Sequence, residues 1–350
     1  MYLMLRRLKL LAPGQLELIT EDETLDVTQD TVKIAVKACG ICGSDLALYN
    51  GTRDLSGEHY FGHEFSGIVI DPGSGANGLK EGMRVASELV HGCGQCWYCR
   101  NGLENYCKGL NDVLFPGGFT EQTLVTNTNS YNFLSPIPDE LDFVTASLME
   151  AANCAFRVAS KAAVKPGDSV LVFGLGAIGF IGALILRTLG AGKIVGADRS
   201  PKRLEQVRNT GLIDVVDTGN PDWLEQAKAF TGNDRGFDVI IEATGAPTVL
   251  KDTFRAVRMG GRIVVGSVYH GTADGFDPLP IMRKELTIVG AKGSAPVRKS
   301  DGTSAVVDKV LQMKDDLRKL VKVYDYEDSL KAFADARSGE AIKAVIKFSN

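Results

Sequence analysis

No stretch of this sequence is apolar for long enough to cross a membrane. The run at residues 180–189 is about half the ~20 residues that a spanning helix needs. The N-terminal stretch, MYLMLRRLKLLAPG, has its short apolar runs broken by Arg6, Arg7 and Lys9 and offers no small-residue cleavage site. A cytoplasmic protein with no membrane partner is the expectation. Charge of one sign is scarce as well: the net charge of −4 gives no basis for a nucleic-acid partner. Internal repeats and low-complexity tracts are absent. An even disulfide framework is missing too, since the 7 cysteines (Cys39, Cys42, Cys93, Cys96, Cys99, Cys107 and Cys154) are odd in number and no secretory segment precedes them. Four of them crowd into residues 93–107, which points to metal instead.

What is present is a chain of 350 residues, too long for one ordinary core, so two domains are expected. Hydrophobic residues at 44% and charged residues at 23% are those of a globular protein. Alternation at 16–19 and 32–37 reads as β-hairpin material, and short strands are expected at 67–70, 83–86 and 121–125. Residues 151–163 turn helical. After the turn Lys165-Pro166-Gly167-Asp168, strands at 169–173, 193–197, 215–216, 238–242, 262–266 and 286–289 alternate with helices, the doubly wound pattern. The tail is mixed: helix 305–313, strand 321–324, helix 327–336 and strand 344–348.

The strand at 169–173 runs directly into Gly174-Leu175-Gly176-Ala177-Ile178-Gly179, then into an apolar helix and a second strand ending in Asp198. That is the dinucleotide fingerprint in its required context. Gly174 permits the tight turn, Gly176 lets a pyrophosphate approach the backbone, and Gly179 lets helix and strand pack closely. The helix entered through Ala177 and Ile178 presents free N–H groups and a positive dipole end. Asp198 stands where an acid holds the ribose hydroxyls and favours NAD, because a 2′-phosphate would meet a carboxylate. Arg199 and Arg203 keep NADP as the secondary reading, and Arg199 either stacks on adenine or points to solvent. Thr244 and Gly266 follow strands at their C-terminal ends, where ligands sit in open α/β sheets.

Cys93, Cys96, Cys99 and Cys107 offer four thiolates in one loop, with Gly92, Gly94 and Gly102 easing its turns. A full tetrahedral thiolate shell suits a structural zinc and leaves no position for substrate.

The segments CGICGSD at 39–45, GHE at 62–64, the four-cysteine lobe, GGFTEQ at 117–122 and GLGAIG at 174–179 occur in this order. Together, over essentially the whole chain, they resemble the zinc-containing medium-chain alcohol dehydrogenase family. The resemblance implies an α/β protein: a GroES-like β-rich catalytic domain and a Rossmann domain with a doubly wound parallel sheet. Residues 1–153 would form the catalytic domain with its structural zinc lobe (93–107), 154–292 the NAD-binding domain, and 293–350 a return to the catalytic domain. It implies two zinc ions per chain, one catalytic and one structural. Cys42 and His63 are the implied catalytic ligands, with Glu64 and Glu150 competing for the same ion. Glu150 stands where branches acting on simple alcohols carry a second cysteine. Cys39 and Cys154 read as packing residues.

The resemblance makes Ser44 the first hydroxyl of a proton relay and Asp45 the acid that orients the histidine ligand. Lys343 aligns with a basic residue that reaches the pyrophosphate; a solvated lysine is the equal alternative. His59 is either a relay or pocket residue or a surface one, and His91 and His270 are structural. A homodimer or homotetramer is implied, through the strand at 286–289. Glu150, Asn153 and Tyr49 favour NAD-dependent exchange between a secondary alcohol and its ketone on a polyol, sugar or cyclitol, aminocyclitols included. An L-threonine- or simple-alcohol dehydrogenase is the alternative. A zinc-free quinone or enone reductase would lack the Cys42/His63 pair and the lobe, and a non-catalytic binding protein would carry a damaged ligand set. Neither defect is present.

Overall fold

The computed structural model describes residues 4–22, 25–53, 61–75, 78–88, 92–107, 117–126, 134–232, 234–269, 271–294 and 304–348. His59, His91 and His270 lie outside the described residues, as do nearly all of the loop at 53–60 and the whole of that at 111–116, on which the shape of a substrate pocket would depend. The chain divides into one unit of Met1–Asn153 with Ser294–Asn350 and another of Cys154–Gly293.

In the first unit, β1 (Met4–Ala12) and β2 (Gln15–Asp22) form an antiparallel hairpin. Strands β3 (Thr31–Gly40), β4 (Glu64–Asp71), β5 (Arg84–Ser87), β6 (Gln122–Thr126) and β7 (Leu134–Pro136) are joined by two from the returning chain, β14 (Val321–Asp325) and β15 (Lys343–Lys347). Their order is β14-β15-β3-β4-β5-β7, with β6 also paired to β3. β3 is therefore sheathed along both edges, and Val32, Ile34, Val36 and Cys39 are all buried. Phe61, Phe119 and Phe333 close the core with edge-on ring contacts at 5.0–5.6 Å.

The hairpin differs from expectation. Residues 16–19 pair with β1, a segment whose charges conceal its alternation, and β3 pairs elsewhere. Arg7 is the reason: it points inward beside Leu5, Leu8 and Leu10, satisfied by an ion pair to Glu21 at 3.0 Å.

The second unit holds six parallel strands: β8 (Val170–Phe173), β9 (Ile194–Asp198), β10 (Asp214–Asp217), β11 (Phe237–Glu242), β12 (Val257–Val265) and β13 (Thr287–Gly290). Their order, β10-β9-β8-β11-β12-β13, reverses between β8 and β11, as in the doubly wound fold. Helices Ala177–Thr188, Pro201–Thr210, Trp223–Ala229 and Leu250–Ala256 lie between successive strands. β8 and β9 are buried at every position, which is why both read as unbroken apolar runs rather than alternating ones. The helix Pro201–Thr210 begins with Ser200 accepting the Arg203 N–H and stops at Gly211 in the left-handed conformation.

The tightest packing in this unit is inside the glycine turn. A Cβ on Gly179 would lie 1.9 Å from the Gly174 carbonyl oxygen, with backbone on both sides of the clash. Gly179→Ala should destabilise the protein by about 1–3 kcal/mol. Thermal unfolding checks this, and an unchanged midpoint would contradict the packing.

Candidate metal centres and dinucleotide site

Three segments meet at Cys42. Cys42 precedes the helix Gly43–Tyr49, and its N–H donates to Asp45 Oδ2 at 2.8 Å across the first helical turn. Asp45 Oδ1 accepts the Gly62 N–H at 3.3 Å and lies 3.7 Å from His63 Nδ1. Ser44 is half-buried in the same turn, two residues from Cys42. The His63 backbone is clamped by Ser87, whose hydroxyl donates to the His63 carbonyl at 2.5 Å and accepts the Phe65 N–H at 2.9 Å. Gly118, in the 117–122 segment, holds the Gly62 carbonyl through its N–H at 2.7 Å.

Cys42, His63 and Glu64 bring their ligand atoms within 4.8 Å of one another. Glu150, buried in the first turn of the helix Met149–Ala162, stands outside that trio yet near enough for its charge to act on both His63 and Lys343. Burial disfavours the charged imidazole, but the thiolate of Cys42 and the carboxylate of Asp45 outweigh it and hold His63 well above its ordinary pKa. Burial pushes the Asp45 carboxyl up. A buried pocket of anions with this pull on protons calls for a cation. Thiolate, imidazole and carboxylate are the donors zinc takes, so the residues fit that ion.

Lys343 corrects an expectation. It is a buried residue of the first unit, not the solvated lysine that was one of its two readings. Its ammonium donates to Glu64 Oε2 and, at 3.1 Å, to the Ile41 carbonyl. Burial alone would lower its pKa; Glu64 and Cys42 more than offset this and raise it. Gly40 makes the room, since a Cβ there would lie 2.6 Å from Glu64 Oε2 and 3.0 Å from Lys343 Cε. Cys39 is buried against Gly118 and serves packing.

The four lobe cysteines also lie within 4.8 Å of one another, on the short helix Trp97–Arg100 and the turns around it. The Cys93 N–H donates to Cys107 Sγ at 3.2 Å and the Cys96 N–H to Cys93 Sγ at 3.4 Å. Hydrogen bonds from the Gln95 and Cys96 N–H groups lower the Cys93 thiol to about 6, while burial raises Cys99 to about 12. Thiols this close cannot all ionise without a cation among them, and one dication would satisfy the set.

In the second unit, Asp198 ends β9 buried. Its Oδ2 accepts the Leu175 N–H at 2.8 Å and lies 3.4 Å from Arg203 Nη1; Oδ1 accepts the Ser200 N–H at 2.9 Å. A carboxylate has acceptor capacity beyond these bonds. Arg199 is exposed. No atom would crowd a Cβ on Gly176, so the backbone before Ala177 and Ile178 is open to a ligand, as a pyrophosphate cradle requires. The Gly266 N–H and the Ser267 hydroxyl both donate to the Glu242 carbonyl, at 2.9 and 3.3 Å, and Thr244 bonds to the carboxylate of the same residue. Sequence reasoning missed Glu242; an acid directly after the apolar run Val239-Ile240-Ile241 was the available signal.

Fold and site together define a metal-dependent dehydrogenase as the class. Residues 28–139 match the alcohol dehydrogenase GroES-like domain and residues 177–312 the zinc-binding dehydrogenase family. The chain is 32% identical to sorbitol dehydrogenase of Bacillus subtilis over 247 residues, 69% of each chain. It is 30% identical to L-threonine 3-dehydrogenase of Rhizobium etli over 323 residues, 91% of this chain and 92% of that one. The crystal structure of 2R,3R-butanediol dehydrogenase from Bacillus subtilis superimposes with a TM-score of 0.81 at 26% identity, covering 99% of this chain and 100% of the other. The chain belongs to the zinc-containing medium-chain alcohol dehydrogenase family, and it is an oxidoreductase of alcohol groups.

Removing one lobe thiol tests the structural-metal assignment. Cys99→Ser should lose about one zinc per chain and unfold at lower temperature. Full zinc content with unchanged stability would refute it; metal analysis and thermal unfolding are the measurements.

Proposed function

We propose that the protein oxidises a secondary hydroxyl of a polyhydroxylated substrate (a polyol, sugar or cyclitol) to the ketone with NAD, and runs the reverse reaction with NADH. The observation carrying this reading is the donor set itself: one thiolate and one imidazole accompanied by two buried carboxylates, Glu64 and Glu150, while Cys39, the other cysteine near them, is buried against Gly118 and outside the ligand cluster found among the described residues. The sorbitol dehydrogenase relative supports it. Similarity to L-threonine 3-dehydrogenase keeps an amino alcohol as the second reading.

Residues 1–153 and 293–350 would form the catalytic domain and 154–292 the NAD-binding domain. Bound zinc supplies Lewis acidity towards a hydroxyl oxygen, and bound NAD supplies a hydride acceptor. The chain's residues do the rest. Cys42 and a carboxylate offset the ion's charge. Asp45 Oδ1, facing His63 Nδ1, fixes the imidazole so that its other nitrogen ligates. Ser44 Oγ would accept the proton that the substrate hydroxyl gives up while releasing its own hydroxyl proton onward to solvent, the first hydroxyl of a relay. Glu64, paired with Lys343, and Glu150 are the two carboxylates that would compete to hold the ion. A second zinc in the lobe is structural. Asp198 selects NAD over NADP by like-charge repulsion of a 2′-phosphate, with Arg203 partly offsetting it.

NAD reduction across polyols, aldoses, cyclitols, L-threonine and simple alcohols, with metal analysis, tests the reading. Turnover should be highest on a polyhydroxylated substrate, with NAD preferred, and Cys42→Ala should lower it on the order of 100-fold or more. Full turnover by Cys42→Ala, or preference for simple alcohols, would overturn it.

A cytoplasmic homodimer or homotetramer is also inferred. β13 is an edge strand with its side chains largely exposed, among them Ile288 at 39%, and Met282 nearby is 69% exposed. Edge strands of this kind pair with a second copy about a two-fold axis. Light scattering should give a dimer or tetramer that Met282→Lys with Ile288→Lys dissociates; a monomeric wild type would refute the surface.

A further inference from the structure

Glu242 has no place in the mechanism above, yet its carboxylate is fully buried at the C-terminal end of β11. One oxygen accepts the Thr244 N–H at 2.7 Å and the Thr244 hydroxyl; the other accepts the Tyr269 hydroxyl at 2.6 Å. Its carbonyl takes the Gly266 N–H and the Ser267 hydroxyl. One residue therefore binds both segments that leave β11 and β12. The two backbones also touch: Gly245, at φ 72°, would place a Cβ 2.9 Å from the Val268 carbonyl oxygen. The first segment abuts the glycine turn as well, since a Cβ on Gly174 would lie 2.9 Å from the Thr244 nitrogen.

Burying a carboxylate among uncharged donors is unfavourable compared with an apolar side chain of similar size, so sheet packing alone gives no reason for it. We propose that Glu242 is a positioning residue for the nicotinamide half of the dinucleotide, tying Thr244 and Tyr269 together so that segments 243–246 and 266–269 hold one arrangement. This rests on the dinucleotide reading of the glycine turn. In a doubly wound sheet the dinucleotide crosses the point where strand order reverses, one mononucleotide to each half. β8–β10, with the glycine turn and Asp198, form the adenosine half. The segments after β11 and β12 then meet the other half. Val268, apolar yet 77% exposed between Ser267 and Tyr269, offers a surface that a flat ring would cover.

Titrating NADH and ADP-ribose into the wild type, Glu242→Gln, Glu242→Ala and Tyr269→Phe separates the halves. Loss of a hydrogen bond to a charged group corresponds to about 10-fold in affinity. Glu242→Ala and Tyr269→Phe should weaken NADH by about that factor or more, while ADP-ribose changes less than about 2-fold. Glu242→Gln, which keeps an acceptor for Thr244, should recover most of the loss. Tyr269→Phe retains the ring, so it decides the matter if Glu242→Ala does not fold. Equal weakening of both probes, or unchanged NADH affinity, would overturn the positioning role. A wild type that binds neither would overturn the dinucleotide reading and this proposal with it.

Discussion

Three buried carboxyl groups (Asp45, Glu64 and Glu150) and the half-buried thiol of Cys42 surround one imidazole and one ammonium, and much of the first unit's topology exists to make that tolerable. Buried charges persist only when paired or bound to metal. The pairing of Glu64 with Lys343 joins residues 279 apart in sequence. Sheet register achieves it. Gly40 is directly opposite Glu64 on one side and Val345 on the other, and the Ile41 N–H donates to the Ala344 carbonyl. The chain must leave this unit, build another, and return as β15 before the charge on Glu64 is answered.

The same constraint explains which parts were legible in the sequence. The glycine turn and the lobe cysteines are local, so spacing reveals their chemistry, and the short Cys42 and His63 motifs are local enough for the family resemblance to carry them. The alternation of strands and helices beyond residue 168 was readable because parallel strands are buried on both faces and give continuous apolar runs. Lys343, Glu242 and Arg7 were not legible as what they are. Each is a polar residue pointing inward, and its partner (Glu64, Tyr269 or Glu21) is fixed by tertiary register rather than by neighbourhood. From sequence alone Lys343 reads equally as a pyrophosphate contact or a solvated lysine; the close fit of Gly40 beside it is visible only once β3 and β15 are paired.

Burial of polar groups in the second unit follows a parallel logic. Asp198 and Glu242 both end parallel strands, and both spend their oxygens mostly on backbone or hydroxyl donors of the turns at that end of the sheet, with Arg203 adding a guanidinium at Asp198. Strand ends are where backbone N–H groups run out of sheet partners, so a carboxylate there organises loops that the sheet itself leaves free.

For Asp198 this has a consequence for cofactor choice. Its Oδ2 holds the Leu175 N–H, inside the glycine turn, while Oδ1 holds the Ser200 N–H at the start of the next helix. The group proposed to discriminate between the two nicotinamide cofactors is thus also a brace for the turn proposed to cradle their shared pyrophosphate. Neutralising it removes the repulsion of a 2′-phosphate and loosens the cradle at once. Specificity and affinity are coupled through one side chain. Arg203, already 3.4 Å from Oδ2, is the cation such a change would free to meet a phosphate. Relaxing the preference therefore requires a residue at 198 that still accepts from Leu175, an amide or hydroxyl rather than an apolar group.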